Sequence, residues 1–290
     1  MSDYGLIGHP IAHSLSPRLF EAAYGGRHGY DLIEGKYFEQ SYSRFLRDYK
    51  AINVTAPFKE EAFEKADIIS GPAALIGAAN ILVKTRRGVS AHNSDFSGVI
   101  LSTAEALFPG IIEEFYGTFG AQAHVKAHQF VRARLEAKYG RRPSALVAGL
   151  GGAGKAAAVA CAEMGFQTTV LNRTLSKAQA FAKGLHEYGF NVGGLDEFCD
   201  RAAQADLIIY ALPLALEGIE KLADAEFSGE PVIVEANYRA PAFAGLTLAR
   251  LLDRGAKYVP GKLWLTCQAL SGYSLMTGEA PDAQALLSAI

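Results

Sequence analysis

The stretch GLGGAG, which begins at Gly149, has the spacing of residues that binds the pyrophosphate of a dinucleotide. Gly149 allows a tight turn, Gly151 lets the backbone approach the pyrophosphate, and Gly154 lets the following helix lie close to the strand. The first amides of that helix then face the anion. An apolar run, Ser144–Ala148, precedes the motif and an alanine-rich stretch follows it, so the strand–turn–helix context is present. A bare structural turn is the alternative.

The end of the next predicted strand, residues 168–171, distinguishes between cofactors. An NAD site expects Asp or Glu about 20 residues past the first glycine, where the carboxylate bonds the ribose 2′-hydroxyl. Here the strand ends in Asn172-Arg173-Thr174, without an acid. Because a guanidinium suits a 2′-phosphate, the sequence predicts NADP. An ordinary solvated arginine is the alternative, and Lys177 is either a second phosphate contact or a helix-surface charge.

Ser14 and Ser16 lie two residues apart, just before a predicted helix. Pro17 at the first helical position and Ser16 as its N-cap follow the rules for helix starts, so a cap accounts fully for Ser16. Ser14 is less easily explained. Two hydroxyls at this spacing, with a helix N-terminus behind them, can hold a carboxylate.

Lys59 and Asp95 each lie where a predicted strand has ended and a helix begins. Ligands bind at this end of the strands in α/β sheets. A lysine in the first turn of a helix opposes the helix dipole, which indicates another reason for its presence. A solvated lysine is the alternative, and Asp95 either caps its helix or faces Lys59.

The predicted elements place these residues in two regions of alternating strand and helix, which makes the fold class α/β. In the first hundred residues, strands are expected at 3–8, 30–38, 51–55 and 81–85. After residue 143, strands are expected at 144–148, 168–171, 205–211, 232–236 and 256–259, followed by an apolar helix at 263–276. Between the two regions, residues 113–139 are predicted to form one helix. That helix carries His124 and His128 four residues apart, but no third metal ligand is evident, and we expect no metal site.

The composition fits a globular protein with two domains and no special partner. The chain has 290 residues, half of them hydrophobic, and a net charge of −2, which gives no support for a nucleic-acid partner. Cys161, Cys199 and Cys267 form no CxxC motif and indicate free thiols in a reducing compartment. We see neither a signal peptide nor an apolar run of membrane-spanning length, so we expect a cytoplasmic protein that acts on a small molecule.

Taken together and in order, the motifs resemble those of the shikimate dehydrogenase family along nearly the whole chain. Each stretch alone is a weak signal, but the set in this order is specific. The matching stretches are Gly8 to Pro17 (GHPIAHSLSP), Asn53 to Lys59 (NVTAPFK), Gly77 to Asn80 (GAAN), Asn93 to Asp95 (NSD), the Gly149 to Gly154 turn, Asn172 to Thr174 (NRT), and Gly261 to Gln268.

The resemblance implies roles for individual residues. Lys59 is similar to the catalytic lysine of the family, and Asp95 to its partner. The resemblance assigns the substrate carboxylate to Ser14 and Ser16, and the ring hydroxyls and the reacting end of the substrate to Thr55, Asn80, Ser94 and Gln268. It assigns NADP to Gly149, Gly151, Gly152, Ala153, Gly154, Asn172, Arg173, Thr174 and Gly261.

The family reduces 3-dehydroshikimate to shikimate with NADPH, a step of chorismate and aromatic amino-acid biosynthesis. The resemblance therefore implies an N-terminal α/β substrate domain at residues 1–105, a helical link at 106–142 and a Rossmann-like NADP-binding domain at 143–262. The C-terminal helices at 263–290 are expected to pack back on the first domain, with a cleft between the two domains. The oligomeric state remains either a monomer or a homodimer.

Several positions differ from the pattern of the family. Ile81 stands where the family usually has Thr, Ser94 also replaces a Thr but keeps its hydroxyl, and Trp264 stands where Met is usual. Residues 210–216 replace an Asn-Ala-Thr stretch, and Tyr238 is the candidate for a tyrosine near the substrate. These differences leave open a dehydrogenase of quinate or a related cyclohexane acid that uses NAD or NADP, and a cofactor-binding regulatory relative without turnover.

Overall fold

The computed structural model describes residues 2–289, which contain twelve β-strands and thirteen α-helices. The strands are β1 Tyr4–Gly8, β2 Tyr30–Glu34, β3 Ala51–Val54, β4 Ile68–Ile69, β5 Ile81–Thr85, β6 Gly88–His92, β7 Ser144–Ala148, β8 Gln167–Leu171, β9 Asn191–Gly193, β10 Leu207–Tyr210, β11 Val232–Glu235 and β12 Lys257–Val259. The helices are α1 Ser16–Tyr24, α2 Phe38–Asp48, α3 Lys59–Glu64, α4 Gly71–Ile76, α5 Asp95–Leu107, α6 Ile111–Phe119, α7 Ala123–Tyr139, α8 Gly152–Glu163, α9 Leu175–Gly184, α10 Phe198–Ala203, α11 Gly245–Asp253, α12 Gly261–Thr277 and α13 Ala283–Ser288. Short 3₁₀ turns lie at Gly120–Gln122, His186–Tyr188, Leu195–Glu197 and Ile219–Asp224.

The first sheet is mixed and has the order β2-β1-β3-β5-β6-β4. β1 runs parallel to β2 and β3, whereas β5 pairs antiparallel with β3 and β6. The segments that follow β1 and β3 remain joined, since Thr55 N donates to Ile7 O at 3.0 Å and His9 N donates to Ala56 O at 3.2 Å. The register therefore brings the turn before α1 and the turn before α3 to one edge of the sheet.

The second sheet is entirely parallel and has the order β12-β11-β10-β7-β8-β9. This is the strand order of a doubly wound dinucleotide-binding fold. The order reverses between β7 and β10, and ligands bind outside the carboxyl ends of strands at such a point. The glycine-rich turn predicted from the sequence follows β7 and lies at that point.

Helices join the two sheets through a shared core. The central helix α5 is buried over most of its length and packs against α7, α8 and α12. The helix α12 packs on α5 and also contacts α1, β3, β5 and β11. One cluster of buried apolar side chains extends from the first sheet through α5 to the second, so the two sheets share a core.

Some predicted elements are wrong in detail. Ser16 is the first residue of α1 rather than its N-cap, because Leu15 takes the cap position and Ser14 Oγ accepts the Ser16 amide at 3.2 Å. Residues 113–139 do not form one helix, since α6 ends at Phe119 and is followed by Gly120, whose φ of 52° is unfavourable for other residues.

Short elements account for most of the other errors. The strand predicted at 30–38 ends at Glu34 because α2 begins at Phe38. The short elements β4, α4, β9 and α10 were not predicted, since two to six residues give no measurable periodicity. Among residues 2–289, no helix is long and apolar enough to cross a membrane.

Candidate active site

Lys59 and Asp95 form a shielded ion pair at the start of two helices. Lys59 begins α3 just after the turn that ends β3, and Asp95 begins α5 after β6. Lys59 Nζ donates to Asp95 Oδ2 at 2.5 Å, and only 18% of the lysine side chain and 5% of the aspartate side chain are exposed. Since an unpaired charge at such burial is strongly unfavourable, each charge requires the other.

A cavity of about 530 Å³ opens beside Lys59 at the edge of the first sheet. It has the size of a small-molecule site. The residues predicted to touch substrate or to act on it lie in its lining, apart from Asp95: Ser14, Ser16, Thr55, Lys59, Asn80, Ser94 and Gln268. They come from the start of α1, the turn after β3, both ends of the β5–β6 hairpin, and α12.

The serine turn presents two hydroxyls to this cavity. Ser14 Oγ donates to Ser16 Oγ at 3.1 Å, and Tyr273 OH donates to the Ser16 carbonyl at 3.2 Å. Burial raises the pKa of Tyr273 above its usual range, so its phenol stays a donor. Neither serine hydroxyl bonds a charged group in residues 2–289, so both are available to an anion.

Asn80 and Ser94 are fixed by each other. Asn80 Nδ2 donates to Ser94 Oγ at 3.1 Å, and Ser94 N donates to Asn80 Oδ1 at 2.8 Å. The neighbouring Ile81 is fully buried and faces α12, where a Cβ on Gly272 would come within 2.9 Å of Ile81 Cδ1. Ile81 is therefore a packing residue against α12 and lies outside the cavity lining.

A second, smaller cavity of about 150 Å³ lies on the other side of the ion pair. Its lining combines the predicted catalytic pair with residues of α8, of the loop after β11 and of α12: Lys59, Asp95, Ala153, Ala236, Tyr238, Gly261, Trp264, Leu265 and Gln268. A Cβ on Gly152 would lie 3.1 Å from Lys59 Cδ, so the glycine-rich turn abuts the lysine stem. Lys59 thus lines both the larger and the smaller cavity.

The glycine-rich turn has the tight geometry that its spacing predicts. Gly149 has a φ of 96°, and a Cβ on Gly154 would lie 1.9 Å from the Gly149 carbonyl oxygen. No atom lies within 4 Å of where a Cβ on Gly151 would be, so the space in front of the turn is open. A larger residue at Gly149 or Gly154 would deform the turn, whereas the front of the turn can accept a pyrophosphate.

The residues after β8 lie at the same edge of the second sheet. Asn172 Nδ2 donates to Thr174 O at 3.0 Å and shapes the turn. The Arg173 side chain is exposed and makes no hydrogen bond or ion pair within residues 2–289. Lys177, one turn into α9, is also exposed. The residues present therefore fit a dinucleotide with a 2′-phosphate.

The stretch at residues 210–216, which differs from the pattern of the family, is anchored by a buried tyrosine. Tyr210 is fully buried, and its hydroxyl donates to Leu214 O at 2.8 Å and accepts from Leu216 N at 2.9 Å. Leu212 packs against the glycine-rich turn, with Cδ2 at 2.8 Å from where a Cβ on Gly149 would lie. The side of the glycine-rich turn that contacts Leu212 is therefore apolar, and the Tyr210 hydroxyl fixes the backbone of residues 214–216.

Two family models match the chain. The model described as shikimate dehydrogenase substrate binding domain matches residues 6–82, and the model described as shikimate / quinate 5-dehydrogenase matches residues 133–220. A shikimate dehydrogenase (NADP(+)) of Halorubrum lacusprofundi is 30% identical over 312 residues, which cover 100% of this chain and 98% of that protein.

The chain belongs to the shikimate dehydrogenase family. A related protein of Natronomonas pharaonis, also named shikimate dehydrogenase (NADP(+)), is 28% identical and covers 100% of this chain and 98% of its own length. The crystal structure of a Thermus thermophilus shikimate 5-dehydrogenase in complex with NADP(H) and shikimate has a TM-score of 0.75 at 26% identity, covering 100% of this chain and 98% of that one. The two-sheet α/β architecture predicted from the sequence is therefore the fold of the family.

Sequence reasoning missed several residues that line the larger cavity. Asn53 accepts the Tyr30 hydroxyl at 2.7 Å, and Arg239 approaches from the loop after β11. Tyr273 and His13 also belong to the lining. The motif NVT contains Asn53 and so gave a local signal, whereas Arg239 follows no motif and only the tertiary structure places it.

The candidate metal ligands are not assembled into a site. Among residues 2–289, no group of three His, Cys, Asp or Glu side chains is arranged to hold a metal ion. His128 Nε2 contacts the carbonyl of Glu163 at the end of α8.

Proposed function

We propose that this chain interconverts 3-dehydroshikimate and shikimate with NADP as its redox cofactor. The observation that carries the proposal is the Lys59–Asp95 pair, which borders both the polar cavity and the cavity beside the glycine-rich turn. A dehydrogenase needs this arrangement, because the cofactor must lie beside the substrate carbonyl and a proton donor must reach the oxygen of that carbonyl. Membership of the family supports the same reaction.

The chain's residues supply the proton and the orientation. NADPH, when bound, supplies the hydride that reduces the carbonyl. Lys59 lies where it can donate a proton to the oxygen of that carbonyl and stabilise the negative charge that develops on it. Asp95 Oδ2 accepts a hydrogen bond from Lys59 Nζ at 2.5 Å and so fixes the orientation of the ammonium group. In the reverse reaction Lys59 accepts the proton from the substrate hydroxyl.

The remaining polar residues of the larger cavity bind and orient the substrate. We assign its carboxylate to Ser14 and Ser16, because these adjacent hydroxyls bond no charged group of the described chain. Thr55, Asn80, Ser94 and Gln268 are assigned to the ring hydroxyls and the reacting end. Asn80 and Ser94 are already locked together, so they require little reorganisation on binding.

The cofactor is assigned to the second sheet. Gly149, Gly151, Gly152, Ala153 and Gly154 would receive the pyrophosphate at the start of α8, and Gly261 would border the nicotinamide end. Asn172, Arg173 and Thr174 would hold the adenosine 2′-phosphate, for which an exposed guanidinium without a partner in the described chain is suited.

A division of the chain into domains follows from these assignments. Residues 1–105 together with 263–290 would form the substrate domain, 106–142 the helical link, and 143–262 the NADP-binding domain. In support, each six-stranded sheet is built from one of these regions, and α12 packs on α5 and α1. The helix α5 extends across the first of these boundaries to Leu107. We also propose a cytoplasmic enzyme of aromatic amino-acid biosynthesis, working as a monomer or homodimer.

Spectroscopic assay of nicotinamide reduction tests this function. The purified protein would be given shikimate or quinate, each with NADP or NAD. We expect turnover with shikimate and NADP, and a rise in the KM for NADP but not for NAD in Arg173→Gln, since removing a contact to a charged group costs about 1.5–3 kcal/mol. Faster turnover with quinate would transfer the chain to the alternative substrate, and absence of turnover with all four pairs would refute the proposal.

A further inference from the structure

The loop between β11 and α11 reaches across the gap to the cavity assigned to the substrate. Most of the cavity lining comes from the first sheet and α12, but Tyr238 and Arg239 belong to this loop of the second sheet. Pro213, from the loop after β10, also lies in the lining. The second sheet therefore supplies part of the substrate cavity as well as the cofactor site.

Buried hydrogen bonds fix the conformation of this loop. Glu235 is fully buried at the end of β11, and its carboxylate accepts from Ala242 N at 2.5 Å, Phe243 N at 3.4 Å and Tyr258 OH at 2.8 Å. These bonds join the two ends of the loop across its base. The direction in which the loop points is thus set by the core and not by solvent.

Asn237 fixes the tip of the loop. Its Nδ2 donates to Pro213 O at 2.8 Å and to Ala240 O at 2.9 Å, while its Oδ1 accepts from Arg239 N at 3.1 Å. The backbone of Arg239 is therefore held directly, and the neighbouring loop after β10 is bonded to the same side chain. Arg239 projects from a rigid support.

The loop meets the serine turn. Tyr238 and Arg239 line the same cavity as Ser14 and Ser16, which flank Leu15. Burial raises the pKa of Tyr238, and the Arg239 guanidinium and the Leu15 N–H partly oppose that rise. Arg239 therefore shares one cavity with the two serine hydroxyls.

The Arg239 guanidinium has no partner of its own in the described chain. It makes no hydrogen bond or ion pair within residues 2–289, and no Asp or Glu belongs to the cavity lining. The other full positive charge there, on Lys59, is neutralised by Asp95. The cavity consequently offers one uncompensated cation, next to two serine hydroxyls.

We propose that Arg239 is a substrate-binding residue that pairs with the carboxylate held by Ser14 and Ser16 and selects anionic over neutral substrates. The inference rests on the proposed function and adds a specificity determinant to it. Because Arg239 is carried by the second sheet and the serines by the first, the substrate carboxylate would also bridge the two sheets. A guanidinium suits this role, since it presents several donors to a carboxylate.

The test compares two substrates and three variants. Shikimate and its neutral methyl ester would be oxidised with NADP by the wild type, Arg239→Gln, Arg239→Lys and the control Arg86→Gln, which alters an exposed arginine in the β5–β6 turn. In Arg239→Gln we expect the KM for shikimate to rise about 10- to 150-fold, as for loss of a contact between charged groups, while kcat and the KM for NADP change less than about twofold. The ester should be used equally by the wild type and Arg239→Gln.

The two remaining variants separate charge from shape. Arg239→Lys should recover part of the affinity for shikimate, and Arg86→Gln should match the wild type with both substrates. Equal losses of shikimate and ester turnover in Arg239→Gln would show a structural role for the loop and overturn the inference, as would no change with either substrate. A wild type without activity on shikimate would instead overturn the proposed function, and this inference with it.

Discussion

At the scale of single residues, the side chain of Lys59 is held both along its stem and at its ammonium group. Its stem packs near the glycine-rich turn, since a Cβ on Gly152 would lie 3.1 Å from Lys59 Cδ. Its ammonium is bonded to Asp95 and largely shielded from solvent. A side chain held at both ends has few conformations, which favours proton transfer in one geometry.

We expect Lys59→Ala to lower kcat about 10²- to 10⁴-fold, the range found when a general acid is removed. The KM for NADP should change little, because the glycine-rich turn and Arg173 remain. Steady-state kinetics with shikimate would measure both constants. The control is Lys36→Ala, which removes an exposed lysine outside both cavities. Near-normal turnover of Lys59→Ala would exclude the assigned role.

At the scale of elements, Asp206 joins the first residues of two neighbouring strands. Arg141 donates to both of its carboxylate oxygens, at 2.8 Å and 2.7 Å, and Ser144 N donates at 2.7 Å. Burial acts to raise the pKa of Asp206, but the bonds from Arg141 and Ser144 outweigh it and hold the pKa below its usual range. These bonds fix the start of β7 against the start of β10. They thereby help to position the glycine-rich turn, which follows the end of β7.

We expect Asp206→Asn to lower the free energy of unfolding by about 1.5–3 kcal/mol at pH 7, because a buried carboxylate loses its charge and its bidentate bond from the half-exposed Arg141. A carboxylate whose pKa is lower in the folded than in the unfolded protein stabilises the fold at pH values above its unfolded-state pKa, 3.8. That contribution is lost as the pH falls through the folded-state pKa. The difference between wild type and variant should thus shrink below about pH 4. Urea unfolding at pH 7 and pH 3 would measure it.

The matched control for this change is Asp253→Asn, which alters an exposed carboxylate near the end of α11. It should stay within about 0.5 kcal/mol of the wild type at both pH values. A destabilisation of Asp206→Asn that did not decrease at pH 3 would contradict the ionic origin of the effect.

At the scale of the whole molecule, direct contacts join the two halves around the cleft. Lys155 Nζ, one turn into α8, lies 2.6 Å from Glu60 Oε1, which directly follows the candidate catalytic lysine. Tyr238, in the loop after β11, lines the larger cavity together with Ser14 and Ser16 of the first half. The gap between the sheets, and so the distance from cofactor to substrate, depends on such contacts.

We expect Glu60→Lys and Lys155→Glu each to lower kcat/KM for shikimate about 2- to 5-fold, and the double reversal to restore it. The pair is partly exposed, so its contribution should be only about 0.2–1 kcal/mol. The effect should fade in about 1 M salt, where the Debye length is about 3 Å. Kinetics of the four proteins at low and high salt would decide this, and additive losses in the double variant would rule out a direct pairing.

The sequence alone determined the fold class, and it predicted an NADP site and most residues of the candidate active site. These features reside in local patterns, such as the glycine spacing after a strand or the arginine at a strand end, and a short stretch of chain suffices to specify them. Several such patterns, in the order found in the shikimate dehydrogenase family, then predicted the roles of Lys59, Asp95 and the polar residues around them. Periodicity failed where elements were very short, as at β4, where a glycine interrupted a helix, as at Gly120, and at the end of β2, which was predicted too long.

Only the tertiary structure decided which residues from distant parts of the chain share one space. Strand order brings the turn after β1 to the turn after β3, and the return of α12 places Gln268 beside both. Arg239 belongs to no motif, and its place in the cavity follows from the bonds of Glu235 and Asn237 within its loop. Such juxtapositions arise from long-range packing and hydrogen bonding, which sequence periodicity does not encode.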